Sequence, residues 1–456
     1  MIKLYKYLLA VISAVVIVAA WGMYTTVSLR LENEQELIIS EAEEYLTRKI
    51  YDKGAALLEN ALQIKTYRNA DIWRRLADIY YESGQFSSYR DTLKNMINGK
   101  IIQNGVRLED LYIEAYEYDL LTKSSELLDL LKEGIGKTGS EELKTLYDKH
   151  RYEMAIGWTI YEEAGTIVSG AALVRKDGML GYTDAKGNLK IPSVFELATN
   201  FYNNFAAVQK DGELYIINRS GIRQALADDV TAEEIKCFNG SSFSLRLPGE
   251  EKYLFAVWDK SPDGPVIAKR EKSFEYYGIS TDGIAAFKQD GKWVLIDSSS
   301  RKEKIPTSRD FEDVALDEFG RCAVNGAVFV KTDEKYQMID YAGNNIAGPF
   351  DDAKPFFENG GWAAVKNNGK WGFVNSAGNL VIDYIYDDAG SSSSIKSSVS
   401  TEILAPVKKG GLWGYIKTNG EFAVEPMFQG AKQFVNGCAP VKIEAVWRYA
   451  LLAEYK

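Results

Sequence analysis

The sequence predicts a multidomain α+β chain: a single transmembrane helix at the N-terminus, an array of α-hairpins, then an all-β repeat domain. Three observations carry this expectation. Residues 7–29 contain no charged side chain. From Leu31 the apolar residues recur at helical spacing while Gly and Pro become scarce. Beyond residue 168, short runs rich in Val, Ile, Phe and Trp alternate with turns built from Gly, Asn and Asp, as in residues 364–388.

Composition removes several function classes. A net charge of −10 over 456 residues, with no basic stripe, argues against nucleic acid as a partner. The three cysteines, Cys237, Cys322 and Cys438, lie far apart without CxxC spacing, so they read as small buried thiols in strands and not as a disulfide framework or metal site. The one histidine, His150, falls in the helical part, within a charged helix that reads as solvated surface. A Ser-His-Asp triad or a histidine zinc site inside the repeat region is thereby excluded, and no cofactor is expected.

Residues 1–6 carry Lys3 and Lys6, and the uncharged stretch 7–29 has the length of about 20 residues that a bilayer crossing needs. With Glu32, Glu34 and Glu36 beyond it, the positive-inside rule puts residues 1–6 in the cytoplasm. The soluble part is then extracytoplasmic and the cell membrane is the expected location. Cleavage after Ala20, in Val18-Ala19-Ala20, is the competing reading. The apolar character continues through Trp21, Met23 and Val27, which favours an uncleaved signal anchor. No cysteine lies near the segment to carry a lipid.

Residues 30–165 read as paired helices. Trp73, Leu76, Ala77 and Tyr80 form one face, Gly84 breaks the helix, and Phe86, Tyr89 and Leu93 begin the next. A weaker pair precedes it (Ala42 and Tyr45, then Gly54, Ala55, Leu58 and Ala61), and another follows (Leu111, Ala115 and Tyr118, then Leu127, Leu128 and Leu131). The Trp, Leu, small residue and Tyr at these offsets resemble tetratricopeptide-type repeats. The aromatic stripe reads as inter-helix core, with a peptide-binding concave surface as the other use of such an array.

Residues 168–456 repeat. Aligned on Trp371, the copies place Leu180, Leu214, Tyr253, Trp293, Tyr336, Trp371, Trp413 and Trp447 at one position, at spacings of about 34 to 43 residues. A Gly-containing turn precedes it (Gly178, Gly212, Gly291, Gly369, Gly411), Asp or Asn follows it (Asp184, Asn218, Asp297, Asp340, Asn375), and a second turn glycine comes next (Gly187, Gly221, Gly343, Gly378, Gly420). The Lys370-Trp371-Gly372-Phe373-Val374-Asn375 run resembles the WG-repeat family of tandem bacterial repeats. Leu at 180 and 214 makes this a packing position, because a sugar-stacking platform needs a flat ring where a core needs only bulk. Units of this size repeated eight times predict a β-propeller of seven or eight blades, closed by pairing of residues 447–452 with early strands; an open β-solenoid-like array is the alternative. The serine-rich run 391–398 and the segment 261–265 read as a flexible loop and a turn-rich connection.

The turn Asp and Asn residues lack the dense D-x-D-x-D-G spacing of a calcium loop, so no metal is expected. Tandem repeats of both kinds imply interaction with a protein or a cell-wall glycan, without catalysis. The alternative is a glycosidase-like enzyme on a surface polymer, using Asp351, Asp352, Asp387 and Asp388.

Overall fold

The computed structural model describes residues 2–66, 68–101, 106–226, 230–240, 242–259, 266–297, 311–357, 360–396 and 401–455. They divide into two compact units, Met1–His150 and Arg151–Lys456.

The first unit comprises α1 (Ile2–Thr47), α2 (Tyr51–Ala61), α3 (Asn69–Glu82), α4 (Phe86–Gly99), α5 (Leu108–Leu121), α6 (Leu127–Thr138) and α7 (Glu141–His150). Helix α1 is unbroken from the apolar segment into the first hairpin. Its apolar window has a mean hydropathy of 1.7 and none of it is buried, whereas Ala42 and Leu46, further along, are. Gln35 on α1 is fully buried; its Nε2 donates to the carbonyls of Ala61 and Ile64 at 3.0 and 2.8 Å, satisfying backbone groups that the end of α2 leaves open. Leu76, Ala77 and Tyr80 of α3 are buried with Tyr89 and Leu93 of α4, and Gly84 between them takes φ +73°. His150 is not a solvated residue. It is buried at the end of α7, with Nε2 2.9 Å from the Tyr116 hydroxyl and the two rings 5.8 Å apart, because the last turn of α7 packs on α5.

The expectation that helix extends to residue 165 is corrected by strands at Met154–Ile156 and Glu163–Ala164. Strands of three and two residues are too short to show a period of two.

The second unit is an eight-bladed β-propeller. Blades 1 to 8 occupy residues 163–195, 197–226, 234–274, 276–297, 313–350, 352–386, 388–428 and 430–452. Each is an antiparallel meander; blade 4 has three described strands. The first strands are mostly two residues long, and the hairpin between the second and third strands is the most regular part. Blade 8 takes its fourth strand from Met154–Ile156, which pairs antiparallel with Val446–Leu452 (Met154 with Leu452, Ile156 with Ala450). A ring closed this way has no open edge at the seam.

All eight aligned positions fall at the first or second residue of a third strand, one per blade. Leu180, Leu214, Tyr253, Trp293, Tyr336 and Trp371 are buried, and Trp413 and Trp447 are half-buried. Trp371 packs with Trp362, Phe373 and Tyr386 of its own blade and Ala389, Ala405 and Val407 of the next. Equivalent clusters hold Leu180 between blades 1 and 2 and Tyr336 between blades 5 and 6. The glycine after the aromatic has its own cause: a Cβ on Gly372 would stand 2.6 Å from the Ile382 carbonyl oxygen of the fourth strand.

The serine run is partly ordered core. Ser391, Ser392 and Ser393 are buried; Ser392 Oγ accepts the Trp362 amide at 2.9 Å and Ser391 Oγ the Ala364 amide at 3.2 Å, which completes the hydrogen bonds of a strand whose first partner is short. Ser393–Lys396 then forms an extra strand paired with Thr401–Lys409. Residues 397–400, like 261–265, lie outside the described residues.

Candidate functional site

In each meander the loop between strands 1 and 2 leaves one face of the ring, and these loops differ in length and sequence among blades. Those of blades 1 to 5 surround a cavity of about 490 Å³. Blade 1 contributes Ser169, blade 2 residues 199–203, blade 3 Lys236 to Phe238, blade 4 Tyr276 and Ile279, and blade 5 the turn from Asp317 to Arg321.

The blade 5 turn is held by its own side chains. Asp317 Oδ1 accepts the amides of Phe319 and Arg321 at 2.9 Å, and Oδ2 accepts Arg321 Nε at 2.6 Å. Burial pushes the Asp317 carboxyl up, against the pull of the Arg321 guanidinium. The guanidinium lies 4.7 Å from the Phe319 ring centroid. Gly320 closes the floor: a Cβ there would stand 2.8 Å from the Tyr276 hydroxyl and 2.9 Å from Cys237 Sγ. That thiol donates to the Tyr276 hydroxyl at 3.4 Å, and burial pushes both groups above their ordinary pKa.

Every charged side chain lining the cavity is paired. Lys236 meets Glu234 at 2.6 Å, Arg321 meets Asp317 at 2.6 Å, and Glu318 meets Lys432 of blade 8 at 2.5 Å. Free polar groups remain: the side-chain amides of Asn200 and Asn203 have no hydrogen-bond partner among the described residues. Cys322 and Cys438 are buried and Cys237 is half-buried in a loop; all three are free thiols. Among the described residues there is no group of three or more His, Cys, Asp and Glu suited to a metal ion.

A second concavity, about 380 Å³, lies on the helical unit. Arg74 is held by Glu114 (2.6 and 2.9 Å) and Asp78 (2.6 and 3.0 Å), and the Tyr89 hydroxyl donates to Glu114 at 2.6 Å. Tyr81 and Leu121 are exposed at its margin.

The repeat-domain carboxylates have other work. The residue just before the first strand is acidic or Gln in every blade, and in all but blade 3, where Glu233 pairs with Arg246, it caps the turn between strands 2 and 3. Glu162 accepts the Gly178 amide at 3.2 Å, Glu196 that of Gly212 at 3.3 Å, Glu275 that of Gly291 at 3.0 Å, Glu312 that of Glu334 at 3.1 Å, Asp387 that of Gly410 at 2.9 Å and Gln429 that of Ala445 at 2.6 Å. Asp351 does the same for the turn at Asn368 and Gly369. Left-handed turn residues aim their amides outward, so an acceptor there satisfies them. Lys335 at 2.5 Å and Lys370 at 2.7 Å hold the carboxyls of Asp351 and Asp387 below the ordinary range. Asp352 Oδ1 accepts the Ala353 amide at 2.9 Å, and Asp388 meets Lys354 at 2.9 Å. These caps sit on the face opposite the cavity loops. The signal for them is an aromatic residue followed by Glu, Asp or Gln, as in Phe195-Glu196, Phe274-Glu275 and Tyr386-Asp387.

Solved propeller structures resemble the chain at low identity. BamB from Moraxella catarrhalis is 9% identical over 66% of this chain and 98% of that one, with a TM-score of 0.40. Kluyveromyces lactis Hsv2 is 9% identical over 57% and 94%, with a TM-score of 0.35. PorZ, a surface component of the type-IX secretion system of Porphyromonas gingivalis, is 10% identical over 57% and 37%, with a TM-score of 0.32. No curated protein matches the chain. The family model described as WG containing repeat matches residues 181–213, 338–371, 371–413 and 413–447, each running from the third strand of one blade to that of the next, so the C-terminal region of this chain carries WG containing repeats at four places.

Proposed function

We propose that this chain is a membrane-tethered, extracytoplasmic binding protein without catalytic activity, whose propeller and helical unit offer separate contact surfaces to a protein or envelope-polymer partner. The observation that carries the reading is the pairing of every charged group at the propeller cavity. A hydrolase needs a carboxylate free to exchange a proton or attack; of the carboxylates in the alternative glycosidase reading, Asp351 and Asp387 cap turns on the other face, Asp352 accepts the Ala353 amide and Asp388 is paired with Lys354. The exposed apolar stretch of α1, with Lys3 and Lys6 ahead of it, supports the tether.

The test incubates the full-length protein, in detergent, with isolated envelope polymer and with envelope protein extract. Retention of a partner without release of polymer fragments is expected. Fragment release that disappears in Asp317→Asn overturns the non-catalytic reading. Extraction of the protein from membranes by alkaline carbonate overturns the tether.

A further inference from the structure

We infer that the propeller cavity takes a neutral saccharide of one or two rings, stacked on Tyr202. This deepens the binding reading above and rests on it. Size sets the class of occupant. A cavity of about 490 Å³ falls in the range of small-ligand sites, whereas a folded partner covers about 800 Å² of each surface.

Charge narrows the class further. Lys236, Asp317, Glu318 and Arg321 are all occupied by protein partners. An ionised ligand would be desolvated with no free counter-charge, or would have to open one of these pairs. A neutral ligand carrying many hydroxyls meets neither cost.

Tyr202 is the aromatic side chain on which we place the sugar. Tyr202 stands at the end of a tight hairpin, its amide donating to the Phe205 carbonyl at 3.0 Å and its carbonyl accepting the Phe205 amide at 3.2 Å, across Asn203 at φ +55°. The Cδ1–Cε1 edge of the ring lies against Gly240, where a Cβ would come within 3.0 Å of Tyr202 Cδ1, so glycine is what leaves room for the ring there. Tyr202 lines the cavity and is half-buried, packed on one side against the core shared by blades 2 and 3. A pyranose presents one C–H face to such a ring and hydroxyls around its edge. Beside the ring stand the free amides of Asn200 and Asn203, each both donor and acceptor, and the exposed Ser169.

A peptide finds less. The hairpins at the rim are paired across their own turns, Tyr202 with Phe205, Val168 with Ala171 and Thr281 with Ile284, so these paired segments offer no strand edge to extend.

The test is titration calorimetry on the full-length protein in a detergent without a sugar headgroup. The probes are cellobiose, maltose and N,N′-diacetylchitobiose, with glucuronic acid and glucosamine as charged comparisons. At least one neutral disaccharide is expected to bind in the range of ~1 mM or tighter. Tyr202→Ala should weaken it about tenfold or more, Tyr202→Phe should retain it, and Trp158→Ala, remote on an exposed loop, should leave it unchanged. Circular dichroism of Tyr202→Ala confirms that the variant is folded. Absence of binding by all three neutral sugars, binding of only the charged ones, or binding untouched by Tyr202→Ala overturns the assignment. The two readings separate cleanly: a retained protein partner without sugar binding sinks only the saccharide, and hydrolysis of a bound disaccharide sinks only the non-catalytic reading.

Discussion

The carboxylate of Glu318 in blade 5 meets the ammonium of Lys432 in blade 8 at 2.5 Å, joining residues 114 positions apart in the chain. Its other oxygen accepts the Thr166 amide of blade 1 at 3.3 Å. One side chain thus ties three blades together beside the cavity. Both partners are about one-third exposed, so the pair's own contribution is small, about 0.2–1 kcal/mol. A double-mutant cycle of Glu318→Gln and Lys432→Met, followed by thermal denaturation, should return a coupling in that range; a value several times larger means the tie governs ring closure.

Trp371 fills the seam between blades 6 and 7. Trp371→Ala should lower stability by about 3–5 kcal/mol through the cavity it leaves. Trp371→Leu, which reproduces what Leu180 and Leu214 already do in their blades, should lose clearly less. Urea denaturation of the two variants checks the order.

Ser392→Ala leaves the buried Trp362 amide without its acceptor. The expected loss is about 1–3 kcal/mol, the cost of an unsatisfied buried donor, and a melting temperature indistinguishable from the parent would mean that this serine run is not structural.

Lys370 and Lys335 depress the carboxyls of Asp387 and Asp351. A depressed folded-state pKa stabilises the fold above the unfolded value, about 3.9 for Asp. That contribution is lost as pH falls through the lower, folded value. Melting temperatures followed from pH 7 down to 2.5 should drop below about pH 4, and Asp387→Asn should flatten part of that slope.

Much of this architecture was legible because turns obey chemistry that a sequence displays. The Gly, Asn and Asp positions located the third strands around Leu180, Leu214, Trp293, Trp371 and Trp413, even where Leu stands in place of Trp, and the spacing of about 34 to 43 residues located those of Tyr253, Tyr336 and Trp447. Other features left weaker traces. First strands of two residues carry no period, so the start of most blades is marked only by an aromatic residue followed by Glu, Asp or Gln, and blade 3, preceded by Ala232-Glu233, lacks even that. The hairpin turns Ser169-Gly170, Asp282-Gly283, Asn325-Gly326 and Asn436-Gly437 form a second series, obscured by loops of unequal length. Low complexity misled at Ser391 to Ser393, where hydroxyls replace strand partners. The charged neighbours of His150 hid its burial, which depends on a tyrosine 34 positions away. The cavity was the least legible feature, since it arises where five unlike loops converge and repeats nowhere.

The seam of the ring sets an order of events at the ribosome. Arg448 reaches back to the Gly157 carbonyl across 291 positions, beside the strand pair that seals blade 8. At ~5–20 residues per second, Met154 to Ile156 wait on the order of 15–60 s for their partner to emerge. A chain truncated before Val446 lacks the strand that Met154 to Ile156 pair with, so it cannot close blade 8 in this way and leaves their edge unpaired.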